Sequence, residues 1–465
     1  MATRSPSGGV LAMDIAQLAD AYRHGRLSPV EVMQTLLDEI ARDAHDAQGI
    51  NAFCHLDPEA ALAVARASEQ RYLKGLPCGP LDGVPVSIKD LVNVAGWPTR
   101  RGSLSSACDP PAAQDSPSTA LLRAAGAVIF GKTTTTEFGW TIVSDNPHSG
   151  ITRNPHDVTR SAGGSSSGAA AQVAMGWGPL ALGSDAGGSV RIPASYCGVV
   201  GFKPTFGAIP LAPQSAFAEF AHLGPLTRNV ADCIAAMSVL SQPDARDPSS
   251  LYPRAASIEA RPLRIGWTMR LDSAMPLDAE IAAVFQRLLS RLESSGYQLE
   301  EILLDAEGAA SSMWQIWCSR VHESFDSWSA DKRAQLDPRL QQVYEAGAAQ
   351  DVALLGRSRA RLRELGTRVA QTFSQIDVLL TPATPTVAPP LGRLVPDGSE
   401  AASDWFAANG YAYPFNLTQQ PALSLPLGFN SQGLPFGLQI AGRKYQDNQV
   451  LAFGRELESL IGTSQ

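Results

Sequence analysis

Two glycine pairs that each deliver a serine bracket a short apolar run: Gly163-Gly164-Ser165 on one side and Gly187-Gly188-Ser189 on the other. Without a Cβ, glycine takes positive φ and can turn backbone N–H groups toward a ligand. Consecutive N–H groups just ahead of a serine form an oxyanion hole for whatever that serine attacks. A flexible Gly/Ser linker fits poorly, because Ala169 to Leu182 between the pairs is mostly small and apolar. That run predicts a helix followed by a buried strand, and linkers do not alternate with core.

The chain has 465 residues, 44% of them hydrophobic and 18% charged, enough for a sizeable core. Net charge is −8 with no cluster of Lys and Arg, so nucleic acid and anionic membrane are poor partners. Six scattered cysteines (Cys54, Cys78, Cys108, Cys197, Cys233, Cys318) form no C-x-x-C pair, which argues against a zinc site and a disulfide scaffold. They read as thiols of a reducing compartment, the cytoplasm. Met1 to Val10 is polar, and no apolar run reaches about 18 residues, so neither secretion nor a membrane span is expected.

The front section is helical: Asp14 opens one helix, Ser28-Pro29-Val30-Glu31 is a capping box opening a second, and Asp57-Pro58-Glu59 opens a third. Val84, Val86 and Ile88 then alternate as in a half-buried strand that ends on Lys89. One reading of Lys89 is a snorkelling surface cation paired with Asp90. The other is a lysine buried deeply enough to lose its proton and serve as a base. Ser118 is expected to cap a short helix over 119–125, with a buried strand at Ala127 to Gly131.

Past Ser189 the chain reads as an apolar segment leading into a turn, and Leu223 to Cys233 as the start of another helix. Residues 241–261 form a surface crossing rich in Pro, Asp, Ser and Arg. Strands are expected at Leu263–Trp267, Tyr297–Leu304, Asp377–Pro382, Ala422–Phe429 and Gly437–Gly442. Helices are expected at Asp278–Ser294, through 308–375, and at Asp447–Leu460, with a loop over 382–403. Trp314, Trp317, Phe325, Trp328 and Tyr344 read as packing rather than a substrate box. The alternation predicts one large α/β/α domain with a mixed sheet covered by helices on both faces. Within it, residues 1–75 would be a helical layer and 76–465 the catalytic part, with a variable, mostly helical pocket region at about 300–415.

Two motifs offer other chemistries. Gly126 to Thr133 matches G-x-x-x-x-G-K-[ST], the phosphate loop of nucleotide-binding proteins, with Lys132 as its lysine. That loop needs strand, loop and helix in this order, whereas here the helix comes first and the variable positions are the strand. Gly164 to Gly168 satisfies G-x-S-x-G around Ser166 and points to a hydrolase elbow with a histidine triad. Pro155 to Ala162 ahead of it is polar and irregular, and neither His222 nor His322 has a recognisable setting. None of the seven histidines forms a metal-binding pair at helical spacing.

Gly83-Val84-Pro85-Val86-Ser87-Ile88-Lys89-Asp90, the Gly163 to Gly168 run, Asp185 to Pro193 and Gly201-Phe202-Lys203-Pro204-Thr205 together resemble the amidase signature family. The likeness is dense from Leu81 to Thr205, with weaker matches at Leu380-Thr381-Pro382 and Gly437-Leu438-Gln439-Ile440. It implies Ser189 as the acylated nucleophile and Ser165, after a cis peptide bond, as the bridge to a neutral Lys89 base. It also implies an oxyanion hole from the N–H groups of Ala186, Gly187, Gly188 and Ser189. Ser166, Asp185 and Arg191 would orient these groups, the Gly139 carbonyl would line the acyl site, and no cofactor or metal is implied. The rival within the family is the A subunit of glutamyl-tRNA amidotransferase. Ile192 and Phe206-Gly207-Ala208-Ile209-Pro210-Leu211 replace that subunit's glutamine and basic segment with apolar residues. The resemblance therefore implies a free-standing amidase for small apolar or aryl amides, with carbamates and esters as further substrates, and leaves a homodimer open.

Overall fold

The structure, a computed structural model, describes residues 9–250, 262–271, 276–304, 306, 308–393, 405–406 and 409–462. The expected features at Met1–Gly8, in the later part of the 241–261 crossing and in the later part of the 382–403 loop lie outside the described residues. Helices α1 (Ile15–Arg23), α2 (Pro29–Ala44) and α3 (Pro58–Leu73) start where their caps predict, and Ser28 and Glu31 close both halves of the capping box. Between α2 and α3 the short strand β1 (Phe53–Leu56) joins the sheet edge, so the front section is not purely helical. Four residues of intermediate burial carry too little periodicity to announce a strand.

Strands β2 (Pro85–Lys89) and β3 (Val128–Thr133) flank α4 (Pro117–Ala124), whose N-cap is Ser116 rather than Ser118. A two-stranded ribbon, β4 (Asp145–Asn146) and β5 (Gly150–Ile151), precedes α5 (Ser167–Ala174) and β6 (Leu180–Asp185). Next come α6 (Arg191–Cys197), β7 (Val200–Lys203), β8 (His222–Thr227) and α7 (Val230–Leu240). The apolar segment after Ser189 thus splits into a helix and a strand, and Leu223 lies in a strand instead of opening the helix. Gly224 and Pro225 hid β8, since both read as turn residues, yet β6 and β7 pair with it on either side.

The remainder is β9 (Ile265–Trp267), α8 (Ala279–Ser294), β10 (Leu299–Glu301), α9 (Ala309–Phe325), α10 (Ala330–Arg333), α11 (Pro338–Ala348) and α12 (Val352–Gln375). It closes with β11 (Val378–Pro382), α13 (Pro414–Leu417), β12 (Ala422–Phe429), β13 (Pro435–Gly442) and α14 (Asp447–Gly462). One eleven-stranded mixed sheet runs β1-β3-β2-β6-β8-β7-β12-β13-β11-β9-β10. Its centre pairs antiparallel from β6 to β11, while β3-β2-β6 and β11-β9-β10 are parallel.

Strand alternation sorts the side chains into two layers. Val86 and Ile88 of β2, Leu180 and Leu182 of β6, and Leu438 and Ile440 of β13 pack with residues of α4, α7, α8 and α14 on one face. The opposite face is covered by α5 and α6 with the front helices, and farther along by α9, α11 and α12. The α/β/α layering expected from the sequence is the architecture found. Trp317 and Phe325 are core residues of the α9 layer, with Trp314, Trp328 and Tyr344 packed against it. Among the described residues no helix is long and apolar enough to cross a membrane.

Candidate active site

Because β2 alternates, Ser87 and Lys89 face away from the Val86 and Ile88 layer. Ser87 meets Gln172 of α5 at 2.5 Å, and Lys89 points to the N-terminus of the same helix. Lys89 is fully buried, its Nζ 2.7 Å from Ser165 Oγ, 2.9 Å from Ser166 Oγ and 3.3 Å from the Ser184 carbonyl. Burial drives its pKa well below the ordinary lysine range, with the Asp185 charge opposing. The surface-cation reading is therefore overturned, and Asp90 has another partner: Lys132, 2.8 Å away. The Gly164–Ser165 peptide bond is cis.

The second serine sits on the turn from β6 into α6. Asp185, fully buried, holds this turn by accepting from the N–H groups of Gly188 (2.8 Å) and Val190 (3.1 Å). Arg191 pairs with both of its oxygens at 3.0 Å and sends its remaining N–H groups to the Ala412 carbonyl, Gln439 and Asn416. Burial pushes the Asp185 carboxyl up, but Arg191, Lys203 and Asn416 outweigh it and hold the group far below the usual carboxylate range. Ser189 is 6% exposed, and its carbonyl accepts from Ser166 N–H at 3.1 Å. Among the described residues the Ser189 hydroxyl makes no hydrogen bond. The turn that carries Ser189 is thus joined through main chain to Ser166, the residue after Ser165.

One expectation for the oxyanion hole needs correcting. The Gly188 N–H is taken up by Asp185, so it is not free for a ligand. Gly188 instead serves the turn itself, at φ 118°. The N–H groups of Ala186, Gly187 and Ser189 make no hydrogen bond among the described residues. Gly139, at φ 75°, packs against Ser165, and a Cβ there would lie 3.3 Å from Ser165 Oγ.

Ser166 lies beneath this arrangement, completely buried at the cap of α5, and its hydroxyl donates to the Ser184 carbonyl. No histidine adjoins it: His222 Nδ1 bonds the Phe220 carbonyl and His322 lies on α9 beside Asp326. The G-x-S-x-G elbow is thus absent in structure. Lys132 belongs to strand β3, bonded to Asp90, Thr99 and the Pro98 carbonyl, so the phosphate-loop pattern is a strand too. Among the described residues no group of three His, Cys, Asp or Glu is placed to hold a metal.

Sequence reading missed several members of the site. Asn416 bridges Asp185 and Arg191 from a segment without a motif. Gln439 was visible only inside the weak Gly437-Leu438-Gln439-Ile440 match. Trp405 and Phe406 stack on each other with centroids 3.7 Å apart and lie against Gly187, where a Cβ would meet Trp405 at 3.5 Å. Trp317 packs edge-on to Trp405 at 5.3 Å and stacks on Phe217 at 3.6 Å.

The description of the Amidase family matches residues 31–451. An acylamidase of Rhodococcus erythropolis is 34% identical, over 96% of this chain and 95% of that protein. In Chloroflexus aggregans, the A subunit of glutamyl-tRNA(Gln) amidotransferase is also 34% identical, over 93% of both chains. Among solved structures, a bacterial aryl acylamidase of the amidase signature enzymes superposes with a TM-score of 0.86 at 27% identity, covering 96% of each chain. With the matching sheet, the two glycine-serine turns and a family match over most of its length, this chain belongs to the amidase signature family and is an amide C–N hydrolase.

Proposed function

We propose that the protein is a free-standing serine amidase that acylates Ser189, with Lys89 acting as its base by way of Ser165. The observation that carries this reading is the sealed contact of Lys89 Nζ with Ser165 Oγ at 2.7 Å. A neutral amine has two N–H groups and one lone pair. Ser166 sends its own proton to the Ser184 carbonyl, so it accepts from Lys89, as that carbonyl also does. The Ser165 hydroxyl is left to donate to the lone pair.

As Ser189 Oγ bonds to the substrate carbonyl carbon, its proton passes to Ser165 while the Ser165 proton passes to Lys89. The contact between the hydroxyls closes on substrate binding, since catalytic hydrogen bonds tighten in the Michaelis complex. Negative charge on the carbonyl oxygen is received by the N–H groups of Ala186, Gly187 and Ser189, each contributing on the order of 3 kcal/mol. Collapse breaks the C–N bond, and the leaving nitrogen takes the proton back through Ser165. Water then repeats the route, releasing the acid and the free serine. No histidine is needed.

The aromatic wall of Trp405, Phe406, Trp317 and Phe217 next to Gly187 supports an apolar or aryl acyl group. The acylamidase and aryl acylamidase relatives favour the same class. Carbamates and esters present the same carbonyl with an equal or better leaving group. The pocket is assigned to the 300–415 region, and the six free thiols favour a reducing compartment, the cytoplasm. Treatment with a sulfonyl or phosphonyl fluoride and peptide mass mapping tests the reading: it expects the label on Ser189, and a label on Ser166 overturns it. A panel of p-nitroanilides, p-nitrophenyl esters and carbamates then ranks the substrates.

The match to the amidotransferase A subunit favours a second reading, ammonia production for a partner. It predicts turnover only with that partner and tRNA. Ile192, buried against Gly188, opposes it by placing a methyl-rich chain where that subunit carries glutamine.

A further inference from the structure

Glu137 is a buried carboxyl, 1% exposed, that the relay does not use. It begins the single turn Glu137–Gly139, in which Phe138 (φ 50°) and Gly139 (φ 75°) both lie in the left-handed region. For phenylalanine that conformation is costly and persists only where its surroundings impose it. The surroundings here are specific. One Glu137 oxygen accepts from Ser103 Oγ at 2.5 Å, and the other accepts from the backbone N–H of Asp337, the N-cap of α11, at 2.7 Å. Phe138 N–H donates to the Arg101 carbonyl at 2.8 Å, and its ring meets Phe325 and Trp328 at 4.9 and 5.7 Å.

The far end of this turn touches the relay. Gly139 packs on Ser165, and Thr136 N–H donates to the Ser165 carbonyl at 3.4 Å. The carboxylate therefore ties together the bridging serine's neighbour, the loop over Ser103 and Ser105, and the start of a helix in the 300–415 region.

We propose that Glu137 is a positioning residue: it clamps the Glu137–Gly139 turn so that Gly139 fixes Ser165 between Lys89 and Ser189. The inference rests on the Ser189, Ser165 and Lys89 reading given above. Glutamine can satisfy the same clamp. Its carbonyl accepts from Asp337 N–H and its NH2 donates to Ser103, whose own proton turns to Ser105 Oγ at 2.7 Å. Alanine cannot do either.

The test compares Glu137→Gln, Glu137→Ala and Ser103→Ala with the parent at one alkaline pH, measuring p-nitroanilide turnover, Ser189 labelling by a sulfonyl fluoride, and thermal unfolding. For Glu137→Ala we expect kcat to fall by about tenfold to a hundredfold with KM changing less than about threefold, since the relay and not the acyl wall is displaced. Glu137→Gln should restore kcat to within about threefold of the parent, and Ser103→Ala, which removes one arm, should fall between. A folded Glu137→Ala with the parent's kcat overturns the proposal. If the alanine variant does not fold, a glutamine variant with kcat reduced tenfold or more at the parent's unfolding temperature overturns it equally. A parent protein that is not labelled at Ser189 removes the reading of the site, whereas a labelled parent with an unaffected alanine variant removes this inference alone.

Discussion

Lys132 Nζ lies 2.8 Å from Asp90 Oδ1, and neither side chain reaches solvent. Asp90 follows Lys89 directly in the chain, yet its carboxylate serves the lysine of the neighbouring strand. Parallel pairing of β2 with β3 sets this up, because Lys89 is in register with Thr133 and Asp90 N–H bonds the Thr133 carbonyl. The consequence is chemical. A carboxylate against Lys89 would favour its ammonium form, whereas its hydrogen-bond partners are two hydroxyls and a carbonyl. Burial lowers the pKa of both lysines on these adjacent strands, but only Lys132 has a carboxylate within hydrogen-bond reach to oppose it.

Removing the charge of Lys132 tests this division of roles. Lys132→Met leaves Asp90 buried without a counter-charge and is expected to lower the unfolding free energy by about 3 to 5 kcal/mol in urea titration. The Lys132→Met, Asp90→Asn double variant should recover most of that loss. A single variant as stable as the parent would show that the pair carries no such weight. No ATP binding is expected of the parent in equilibrium dialysis.

For Lys89 the decisive measurement is pH dependence. In the proposed relay Lys89 works only when neutral, and burial holds its pKa well below the ordinary lysine value. As pH rises, kcat/KM should therefore climb through one ionisation placed far below about 10.4, the unperturbed lysine value. Lys89→Arg should lose about a thousandfold or more, because a guanidinium stays protonated. An arginine variant that retains turnover would remove Lys89 from the relay.

How much of this was readable beforehand follows from where the information resides. The glycine-serine turns and the alternation ending at Lys89 are local patterns, so the candidates Lys89, Ser165 and Ser189 could be picked out from Gly83–Lys89, Gly163–Gly168 and Asp185–Pro193. The state of Lys89 was not local. Only β3, reached through α4, supplies the Lys132 that occupies Asp90. Nor could the sequence disclose that the Gly188 N–H is spent on Asp185, since backbone direction within a turn depends on which side chain captures it. Strand β8 was hidden by Gly224 and Pro225, and Asn416 by the absence of any motif around it.

Glu137 should leave a mark on stability that is independent of turnover. Burial lifts its carboxyl from 4.5 to about 7, against the Ser103 and Asp337 hydrogen bonds, with Asp337 raising it further and Arg339 lowering it. Arg339 is itself paired with Asp337 and Asp145. The folded state therefore holds this proton more tightly than the unfolded chain. Its contribution to stability is fully present below about 4.5 and is lost as pH rises through about 7. The range is on the order of 3 kcal/mol, and unfolding free energies of Glu137→Gln measured from pH 4.5 to 8 should fall by that much less than those of the parent. Parallel curves for the two proteins would show that the carboxyl titrates normally.

The two glycines before Ser189 separate shape from chemistry. At Gly188, φ is 118°, and a Cβ would stand 2.5 Å from Ile192 Cδ1 and 2.6 Å from Ala412 Cβ. Gly188→Ala must distort the turn that Asp185 holds, so the free N–H groups beside it lose their aim and kcat should drop by about a hundredfold or more. At Gly187 a Cβ meets Trp405 at 3.5 Å and Phe406 at 3.8 Å, ordinary contact distances, and no left-handed φ is involved. Gly187→Ala is therefore expected to fold with a stability change within about 1 kcal/mol. Its methyl group takes space in front of the aromatic wall. Turnover of anilides should then fall more steeply for aryl acyl groups than for acetyl, by about tenfold in the ratio of kcat/KM values. An unchanged ratio would place the acyl group elsewhere and leave Trp405 and Phe406 as packing alone.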